Sequence, residues 1–442
     1  MRNATARPEK VEPVHQSPTQ ARRGTTMKLT TILAASIALA PVAAMAESKG
    51  KVEGIHHWVS ESEVKALKVI TDKLATKGYT WEDSAVGGLS GANALQALRT
   101  RLAAGNPPAT MQFLGYEGLD WGKQGVLRSL NDLYTKNGWD KALAPQLLAF
   151  VKNGDDFISV PINMHRQNWL WANKAVFDKA GVKEPKSWDE LIADGEKLRA
   201  AGAIPLAMGD ESWQILEVFE AILVDVNGPE FYKKAVIDLD EGALSSPEMI
   251  ATFDRLRKVR GLVDDGFTGR DWAVATGMVA DGKAAMQVMG DWAKGEFLAK
   301  GLKPGVDFLC FPTPTDKPNF KFVIDAFGMF KVDDAVTTAG QDAWAESIMD
   351  PEVQKQFNLI KGSIPARSDV SVDSFDDCAK RSYADREAAV KNGAMLGGLT
   401  EGFAAQPQFA GVFTDVVGKF FVTDMSSKDA VQALVDGINN AR

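Results

Sequence analysis

Residues 261–297 contain two aspartate–tryptophan pairs, Asp271-Trp272 and Asp291-Trp292, in turns punctuated by glycine. An indole ring can cover the apolar C–H face of a sugar, and a neighbouring carboxylate can accept hydrogen bonds from two of its hydroxyl groups. Tryptophan is also a common core residue, so either ring alone could instead pack inside the fold. The two pairs together therefore favour a carbohydrate site and leave a core role for each ring open.

The elements that must hold these residues alternate between strand and helix. Strands are predicted at residues 51–59, 80–86, 110–114, 283–288 and 320–331, and helices dominate residues 172–262 and the chain beyond residue 337. Ser187 and Glu190 form a capping box that predicts the start of a helix. This alternation predicts an α/β fold built from right-handed βαβ units. A chain of 442 residues is long enough for two or three domains.

The N-terminal region carries the pattern of a secretory signal sequence. An apolar run at residues 29–46 follows Lys28 and ends in Ala44-Met45-Ala46, which predicts cleavage after Ala46. The alternative is a buried helix. We expect Met27 to be the true start and residues 1–26 to be upstream sequence. The mature protein is then predicted to lie in the periplasm.

Charge and cysteine content narrow the class of protein further. The chain has a formal net charge of −8 and no basic stripe, which argues against binding to nucleic acid or to anionic membranes. Its only two cysteines, Cys310 and Cys378, suit an oxidising compartment. They could form one disulfide or remain two separate buried thiols.

Seven motifs in a fixed order resemble a known family. The chain is similar to the periplasmic sugar-binding proteins of ABC importers, and within them to the glucose/mannose-binding type. The motifs span almost the whole mature chain: HWVSESE at residues 57–63, AAGNPP at 103–108, VPINMHRQNWLW at 160–171, NKAVFDKAG at 173–181, GRDW at 269–272, GDWAKGEF at 290–297 and FNLIKGSIPAR at 357–367.

The resemblance implies an α/β fold of two lobes, the type II periplasmic-binding-protein fold, with a ligand cleft between them and closure by hinge bending. The N-terminal lobe would comprise residues 47–160 and 325–364, and the C-terminal lobe residues 161–324 and 365–442. Crossings between the lobes are expected near residues 159–163, 323–329 and 364–367. The resemblance also implies a disulfide between Cys310 and Cys378, a monomer that works with the permease subunits of an ABC importer, no catalytic activity and no cofactor or metal.

Carried over by position, the family's ligand contacts fall on seven residues. Three are aromatic walls and four would bond sugar hydroxyls: Trp58, Trp272 and Trp292, and Glu63, Gln112, Asp291 and Lys361. Charge-assisted hydrogen bonds are about twice as strong as neutral ones, so the charged members would supply much of the selectivity.

Five positions depart from the glucose type, so the resemblance does not imply glucose as the ligand. They are His57 in place of a second tryptophan, Arg99 in place of a lysine, Leu114 in place of a polar residue, Val323 in place of an asparagine and Glu401 in place of a histidine. Arg99 could hold a carboxylate or sulfonate substituent, whereas Glu401 could hold an amino group. Both could instead lie on solvated helix faces.

Two other kinds of function stay open from the residues alone. A secreted glycoside hydrolase would need two carboxylates that flank one bond, such as Asp291 and Glu63. A metal-binding receptor would draw on His56, His57 and His165, although neighbouring strand residues point to opposite faces and so cannot easily share one ion.

Overall fold

The structure is a computed structural model that describes residues 48–442, apart from the side chain of Ser90. The predicted signal sequence and the segment upstream of it lie outside the described residues. From residue 48 to residue 442, no helix combines the length and the apolar character needed to cross a membrane.

The strands of the described residues are labelled in chain order. They are β1 (Gly50–His56), β2 (Tyr79–Ala85), β3 (Thr110–Phe113), β4 (Lys152–Asn153), β5 (Asp156–Phe157), β6 (Ser159–Pro161), β7 (Asn163–Arg166), β8 (Trp169–Asn173), β9 (Ile204–Leu206), β10 (Ala284–Val288), β11 (Phe308–Pro312), β12 (Phe320–Val323), β13 (Ala326–Met329), β14 (Ile364–Pro365) and β15 (Met395–Gly397).

The helices are labelled in the same way, and short 3₁₀ turns lie at Leu89–Gly91 and Asp265–Phe267. They are α1 (Glu61–Thr76), α2 (Ala92–Ala103), α3 (Tyr116–Lys123), α4 (Asn131–Asn137), α5 (Trp139–Ala142), α6 (Pro145–Val151), α7 (Lys174–Ala180), α8 (Trp188–Ala200), α9 (Ser212–Asn227), α10 (Pro229–Tyr232), α11 (Glu241–Leu244), α12 (Pro247–Arg260), α13 (Trp272–Ala280), α14 (Ala293–Ala299), α15 (Ala335–Ile348), α16 (Pro351–Lys361), α17 (Asp377–Asn392), α18 (Pro407–Val422) and α19 (Ser427–Ala441).

The elements predicted from the sequence are present, with differences at their ends. Strand β1 ends at His56 rather than at residue 59, because the chain turns there toward Ser60, the N-cap of α1. The strand predicted at residues 320–331 is divided into β12 and β13, which belong to different sheets. Ser187 caps α8 as its capping-box pattern predicts.

Two sheets carry the two halves of the fold, and a third draws its strands from segments between theirs and from the C-terminal part of the chain. The first sheet has the order β2-β1-β3-β13-β6, with β1 parallel to both β2 and β3. The second has the order β11-β8-β10-β9, in which only β9 and β10 run parallel. The third has the order β14-β7-β12-β15. The unit β1–α1–β2 is of the predicted βαβ kind.

The chain passes between the first and third sheets at two of the three places where crossings were expected, residues 159–163 and 323–329. Strand β6 of the first sheet leads into β7 of the third through Ile162, and β12 of the third leads into β13 of the first through Ile324 and Asp325. The first sheet draws its strands from residues 50–161 and 326–329, and the second from residues 169–312. The lobe boundaries given above stay a prediction.

Separate apolar clusters stabilise the two halves. Val52, Ile70 and Trp344 are buried in the cluster that packs on the first sheet. Phe219 and Phe253 are buried in the cluster beside the second sheet. Side chains of this size contribute about 1.5–3 kcal/mol each when fully buried, so each half has a core of its own to hold its wall of the site.

Cys310 in β11 and Cys378 in α17 form a disulfide, with 6.0 Å between their Cα atoms. The predicted pairing is therefore confirmed. The bond ties α17 to the edge strand of the second sheet, while Ala379 and Ala389 of the same helix pack into the cluster of the first sheet. Helix α17 thus contacts both halves of the fold.

Candidate ligand-binding site

A cavity of about 100 Å³ lies beyond the carboxyl ends of strands from both main sheets. A single water needs only about 10–15 Å³ of such space, so the cavity has room for a small molecule. Its walls come from the turns after β1, β2, β3, β10, β12 and β15 and from the starts of α9 and α13. Strands β7 and β12, helix α1 and the last residue of α16 also contribute. The lining residues are His57, Trp58, Val59, Glu63, Gly88, Leu89, Gly91, Leu114, His165, Glu211, Trp213, Asp271, Trp272, Trp292, Val323, Asp325, Lys361 and Glu401.

Four of the lining residues are tryptophans. Trp58 is only 1 % exposed, because its ring packs against Phe327 and supports the wall from inside the core. Trp213 and Trp272 are half-buried, and the Trp213 ring lies 6.4 Å from that of Trp292. Flat aromatic faces of this kind offer apolar contact to a ring-shaped ligand.

Glu63 and Lys361 form a buried ion pair on the first-sheet side of the cavity, with 2.9 Å between Lys361 Nζ and Glu63 Oε1. Glu63 belongs to the capping box of α1, and its Oε2 accepts hydrogen bonds from the backbone N–H groups of Val59 and Ser60. Burial alone would raise the pKa of Glu63, but the charge and hydrogen bond of Lys361 lower it below its usual value. Both charges are therefore already compensated by the protein.

The turn beside Lys361 allows two backbone segments to meet closely. Gly362 has φ +95°, and a Cβ atom there would lie 2.4 Å from the carbonyl oxygen of Asp291 and 3.0 Å from the backbone nitrogen of Gly295. Only glycine fits such a conformation and such a contact. The end of α16 is thereby held against the turn that carries Trp292.

His165 lies between two aspartates. Its Nδ1 bonds Asp291 Oδ1, and its Nε2 lies 3.1 Å from Asp325 Oδ2. Burial alone would lower the pKa of His165, but the charges and hydrogen bonds of both aspartates raise it. Because each ring nitrogen faces a carboxylate, both donate when the ring is a cation. The second oxygen of Asp291 accepts from the backbone N–H of Arg166.

Gln112 stands behind His57 and positions it. The Gln112 side chain accepts from the His57 backbone N–H at 3.2 Å and donates to Asp325 Oδ1 at 2.7 Å. Burial lowers the pKa of His57, which favours the neutral imidazole. We call Glu63, Lys361, His165 and Asp325 the paired wall, because each of these charged groups has an oppositely charged partner.

Glu211, Asp271 and Glu401 form the acidic wall, whose carboxylates have no cation within 4.0 Å among the described residues. Glu211 accepts only neutral donors, among them the Trp213 indole N–H at 2.8 Å. Asp271 caps α13 through one oxygen, and burial together with the nearby Glu211 raises its pKa. Acidic residues at the first turns of α9 and α13 are favoured by the positive ends of these helices.

Glu401 follows β15 and is 7 % exposed. Its Oε2 accepts a hydrogen bond from Gln167 Nε2 at 2.7 Å. Burial, followed by the negative charge of Glu220, raises the pKa of Glu401 to about 8, although Lys321 and His165 oppose the shift. In the empty cavity, Glu401 is therefore mostly protonated at neutral pH.

A buried charged cluster lies behind Glu401. Glu220 of α9 accepts from the Tyr232 hydroxyl at 2.7 Å and from the backbone N–H of Leu399 at 2.7 Å, and it lies 3.2 Å from Lys321 Nζ. Glu217 is fully buried and has no hydrogen-bond partner among the described residues. Burial, followed by the charge of Glu401, raises its pKa far above the usual value.

The structure brings seven of the ten predicted contact residues together around the cavity. These are His57, Trp58, Glu63, Trp272, Trp292, Lys361 and Glu401. Gln112 and Asp291 lie behind the wall rather than in it, because their polar atoms bond His57, His165 and Asp325. Arg99 is exposed on α2 and lies outside the cavity, as the alternative of a solvated helix face had allowed.

The sequence interpretation missed several lining residues, among them Glu211, Trp213, Leu89 and His165 as a wall residue. Glu211 and Trp213 resemble the Asp271-Trp272 pair, since an acidic residue shortly precedes a tryptophan at the start of a helix. This pattern could have identified both residues from the sequence. Leu89 gives no such signal, because its place depends on the turn between β2 and α2.

Among the described residues, the one remaining histidine is His56. His56 is buried, and its Nε2 lies 2.8 Å from Asp83 Oδ1. In the part of the chain that the structure describes, no three of the histidine, cysteine, aspartate and glutamate side chains are grouped to hold a metal ion.

The fold and the cavity define a two-lobed α/β binding protein of type II. Two solved structures share this fold across most of their length. AcbH, a bacterial solute receptor with an exclusive substrate preference for β-D-galactopyranose, has a TM-score of 0.75 and 19% identity, and the match covers 89% of this chain and 99% of that one. Maltose-bound T. maritima MalE3 has a TM-score of 0.71 and 15% identity, and the match covers 88% of this chain and 99% of that one.

The family model of the bacterial extracellular solute-binding proteins matches residues 60–345. A probable sugar-binding periplasmic protein of Brucella suis biovar 1 (strain 1330) is 45% identical over 404 residues, which cover 91% of this chain and 95% of that protein. A probable sugar-binding periplasmic protein of Rhizobium meliloti (strain 1021) is 42% identical over 414 residues, which cover 94% of this chain and 99% of that protein. The chain belongs to the bacterial extracellular solute-binding protein family, so the predicted family and fold class are confirmed.

Proposed function

We propose that this protein is a periplasmic receptor that binds a small carbohydrate in the described cavity and delivers it to an ABC importer. The observation that carries the proposal is a cavity with four tryptophans and eight charged or titratable side chains between the two sheets of a solute-binding fold. Apolar ring faces and hydroxyl-bonding groups meet in one place, which is what recognition of a sugar requires.

The ligand would be enclosed between the two halves. Three contacts already join opposite sides: Leu89 N–H to Glu211 at 3.2 Å, Ser62 Oγ to Glu296 at 2.6 Å, and Tyr116 N–H to the Gly402 carbonyl at 2.9 Å. A ligand shifts an opening and closing equilibrium only through its extra affinity for the closed form. We infer that the sugar bonds both walls and so favours closure, and that the closed form is what the permease recognises.

We propose that the protein lacks catalytic activity. A hydrolase would need one carboxylate free to attack or to activate water and a second free to donate a proton. Glu63 is committed to Lys361 and to two backbone N–H groups, and Asp291 to His165 and the Arg166 backbone. The matched relatives carry names of binding proteins, which supports the same conclusion.

The location and the partners follow from the same role. Secretion by the N-terminal signal, with cleavage after Ala46, would place a monomeric receptor in the periplasm, where the permease subunits of the inner membrane collect its ligand. The relatives named as periplasmic support this location. The acidic composition supports the prediction that nucleic acid is not a partner.

A titration of the purified protein with hexoses and hexosamines tests the proposal. Binding at 100 times the Kd should stabilise the fold by about 2.7 kcal/mol and raise its melting temperature, and the tryptophans of the cavity should change their fluorescence. Trp272→Ala should weaken binding by about 2 kcal/mol, the scale of an aromatic anchor. Trp121→Ala is the matched control, since Trp121 is also half-buried but lies on α3, outside the cavity.

Product formation from oligosaccharides or aryl glycosides would contradict the receptor role. Equal affinities of the two tryptophan variants for the bound sugar would show that the described cavity is not the binding site.

A further inference from the structure

The charges around the cavity do not balance. The paired wall contributes two lining carboxylates, Glu63 and Asp325, against Lys361 and His165, and His165 also bonds Asp291 behind the wall. The acidic wall adds three carboxylates without a described cation. Resting on the receptor function proposed above, we propose that the ligand is an amino sugar whose ammonium group binds against the acidic wall beside Glu401.

Glu401 is the residue that distinguishes this cavity from a merely acidic surface. The residue is only 7 % exposed, and it lines the cavity. One oxygen is satisfied by Gln167 Nε2, while the other accepts from no side chain among the described residues. An acceptor in a cavity wall that no protein side chain satisfies is available to a donor from the ligand.

The surroundings of Glu401 explain why that donor should be a cation. Glu217 and Glu220 of α9 lie behind it, and the Lys321 ammonium of β12 lies 3.2 Å from a Glu220 carboxylate oxygen. His165 of β7 is held by its two aspartates. With three carboxyl groups and one lysine, the cluster has an excess of acid that a ligand ammonium would offset.

With no cation paired to it among the described residues, Glu401 is neutralised by a proton instead. Burial and Glu220 raise the pKa of Glu401 to about 8, so the group is mostly neutral at pH 6.5. An ammonium nearby would favour the carboxylate and expel the proton. A neutral sugar would leave the proton in place, because it brings no charge to stabilise the anion.

The aromatic residues of the cavity and the position of Arg99 outside it also favour a ligand with an ammonium group. Trp213 and Trp292 lie beside the acidic wall, and an ammonium over an indole face gains a cation–π contact. An acidic sugar would have needed Arg99, which lies outside the cavity. It would also meet the acidic wall as a like charge.

Isothermal titration at pH 6.5 with three matched probes tests the inference: D-glucosamine, D-glucose and N-acetyl-D-glucosamine, with their galacto and manno epimers as a second series. We expect at least one hexosamine to bind more tightly than its neutral counterparts. We also expect its binding to release about one proton, measured as a difference in heat between buffers of different ionisation enthalpy.

Glu401→Gln provides the decisive variant, because glutamine mimics the protonated side chain and can still accept from Gln167. The variant should lose about thirtyfold or more in hexosamine affinity together with the proton release, the scale for removing one partner of a buried charge pair. Its affinity for a neutral hexose should change less than about threefold. Glu230→Gln, an exposed position on α10 outside the cavity, is the control that should change neither.

The outcomes separate this inference from the receptor function. Neutral hexoses that bind as tightly as hexosamines, without proton release, would overturn the amino-sugar inference and leave the receptor intact. If no probe of either series and no other sugar bound, the receptor function itself would fail. A Glu401→Gln protein that kept full hexosamine affinity would also overturn the inference.

Discussion

The two walls of the cavity use similar residues for opposite purposes. On the paired wall, Glu63 lies 2.9 Å from Lys361, and His165 bridges two aspartates. On the acidic wall, Glu211, Asp271 and Glu401 face the same cavity without a cation among the described residues. The charged groups of the paired wall have oppositely charged partners among these residues, and the carboxyl groups of the acidic wall do not.

The comparison indicates which wall stabilises the fold and which wall selects the ligand. A buried ion pair fixes two side chains in one geometry, but its two charges compensate each other and leave little net charge to attract a ligand. An acidic group that no protein cation compensates costs stability, but it is available to a cationic ligand. We therefore expect substitutions on the paired wall to act first on folding and substitutions on the acidic wall to act first on binding.

Lys361→Met should have the largest effect on folding. It leaves Glu63 buried at 7 % exposure without its cation, and loss of one partner from a buried pair costs about 3–5 kcal/mol. Urea unfolding of the ligand-free protein, followed by circular dichroism, measures this free energy.

The matched control is Lys65→Met on α1, which breaks an exposed pair with Glu61 and should change stability little. If the two variants unfolded at the same urea concentration, the paired wall would have no special role in holding the fold together.

Glu401→Gln should change how stability depends on pH. The pKa of Glu401 is about 8 in the fold and lies near its ordinary value in the unfolded chain. The folded protein therefore binds more protons between about pH 4.5 and 8, and its stability falls as pH rises through that window. Removal of this one group should reduce the fall by up to about 1.4 kcal/mol per pH unit. Urea titrations at pH 5, 6, 7 and 8 give the slope, and an unchanged slope would show that Glu401 is ionised in the empty cavity.

Asp271→Asn should have the smallest effect on stability. Asparagine caps a helix about as well as aspartate, so the start of α13 should be retained and the unfolding free energy should change by less than about 0.5 kcal/mol. Sugar affinity should fall measurably in the same protein. A large loss of stability would place Asp271 with the paired wall and weaken the comparison.

Local patterns predicted much of this arrangement. The order of strands and helices, the capping boxes and the Asp-Trp pairs all act over a few residues, so they can be read along the chain. The contact residues were instead named by position from the resemblance to the solute-binding family, and seven of those ten line the cavity. Trp213 was missed although it follows Glu211 at a helix start.

The pairing between distant residues could not be read in the same way. Asp291 looks free beside Trp292, but the fold brings it to His165, which lies 126 residues earlier. The exposure of Arg99 depends on which face of α2 meets the first sheet. Glu217 and Glu220 are the exception with a visible signal, because acidic residues inside the apolar run of α9 must find partners or protons once that helix is buried.

The contact of Gly362 with the backbone of Asp291 has a consequence for engineering this protein. No side chain can be introduced there without pushing apart the helix that supplies Lys361 and the turn that supplies Trp292. A library that seeks new specificities should hold this glycine constant and vary His57, Leu114, Val323 and Glu401, whose side chains border the cavity. Changes of specificity are thus expected at a few side chains around the cavity, while the backbone contact at Gly362 has to be kept.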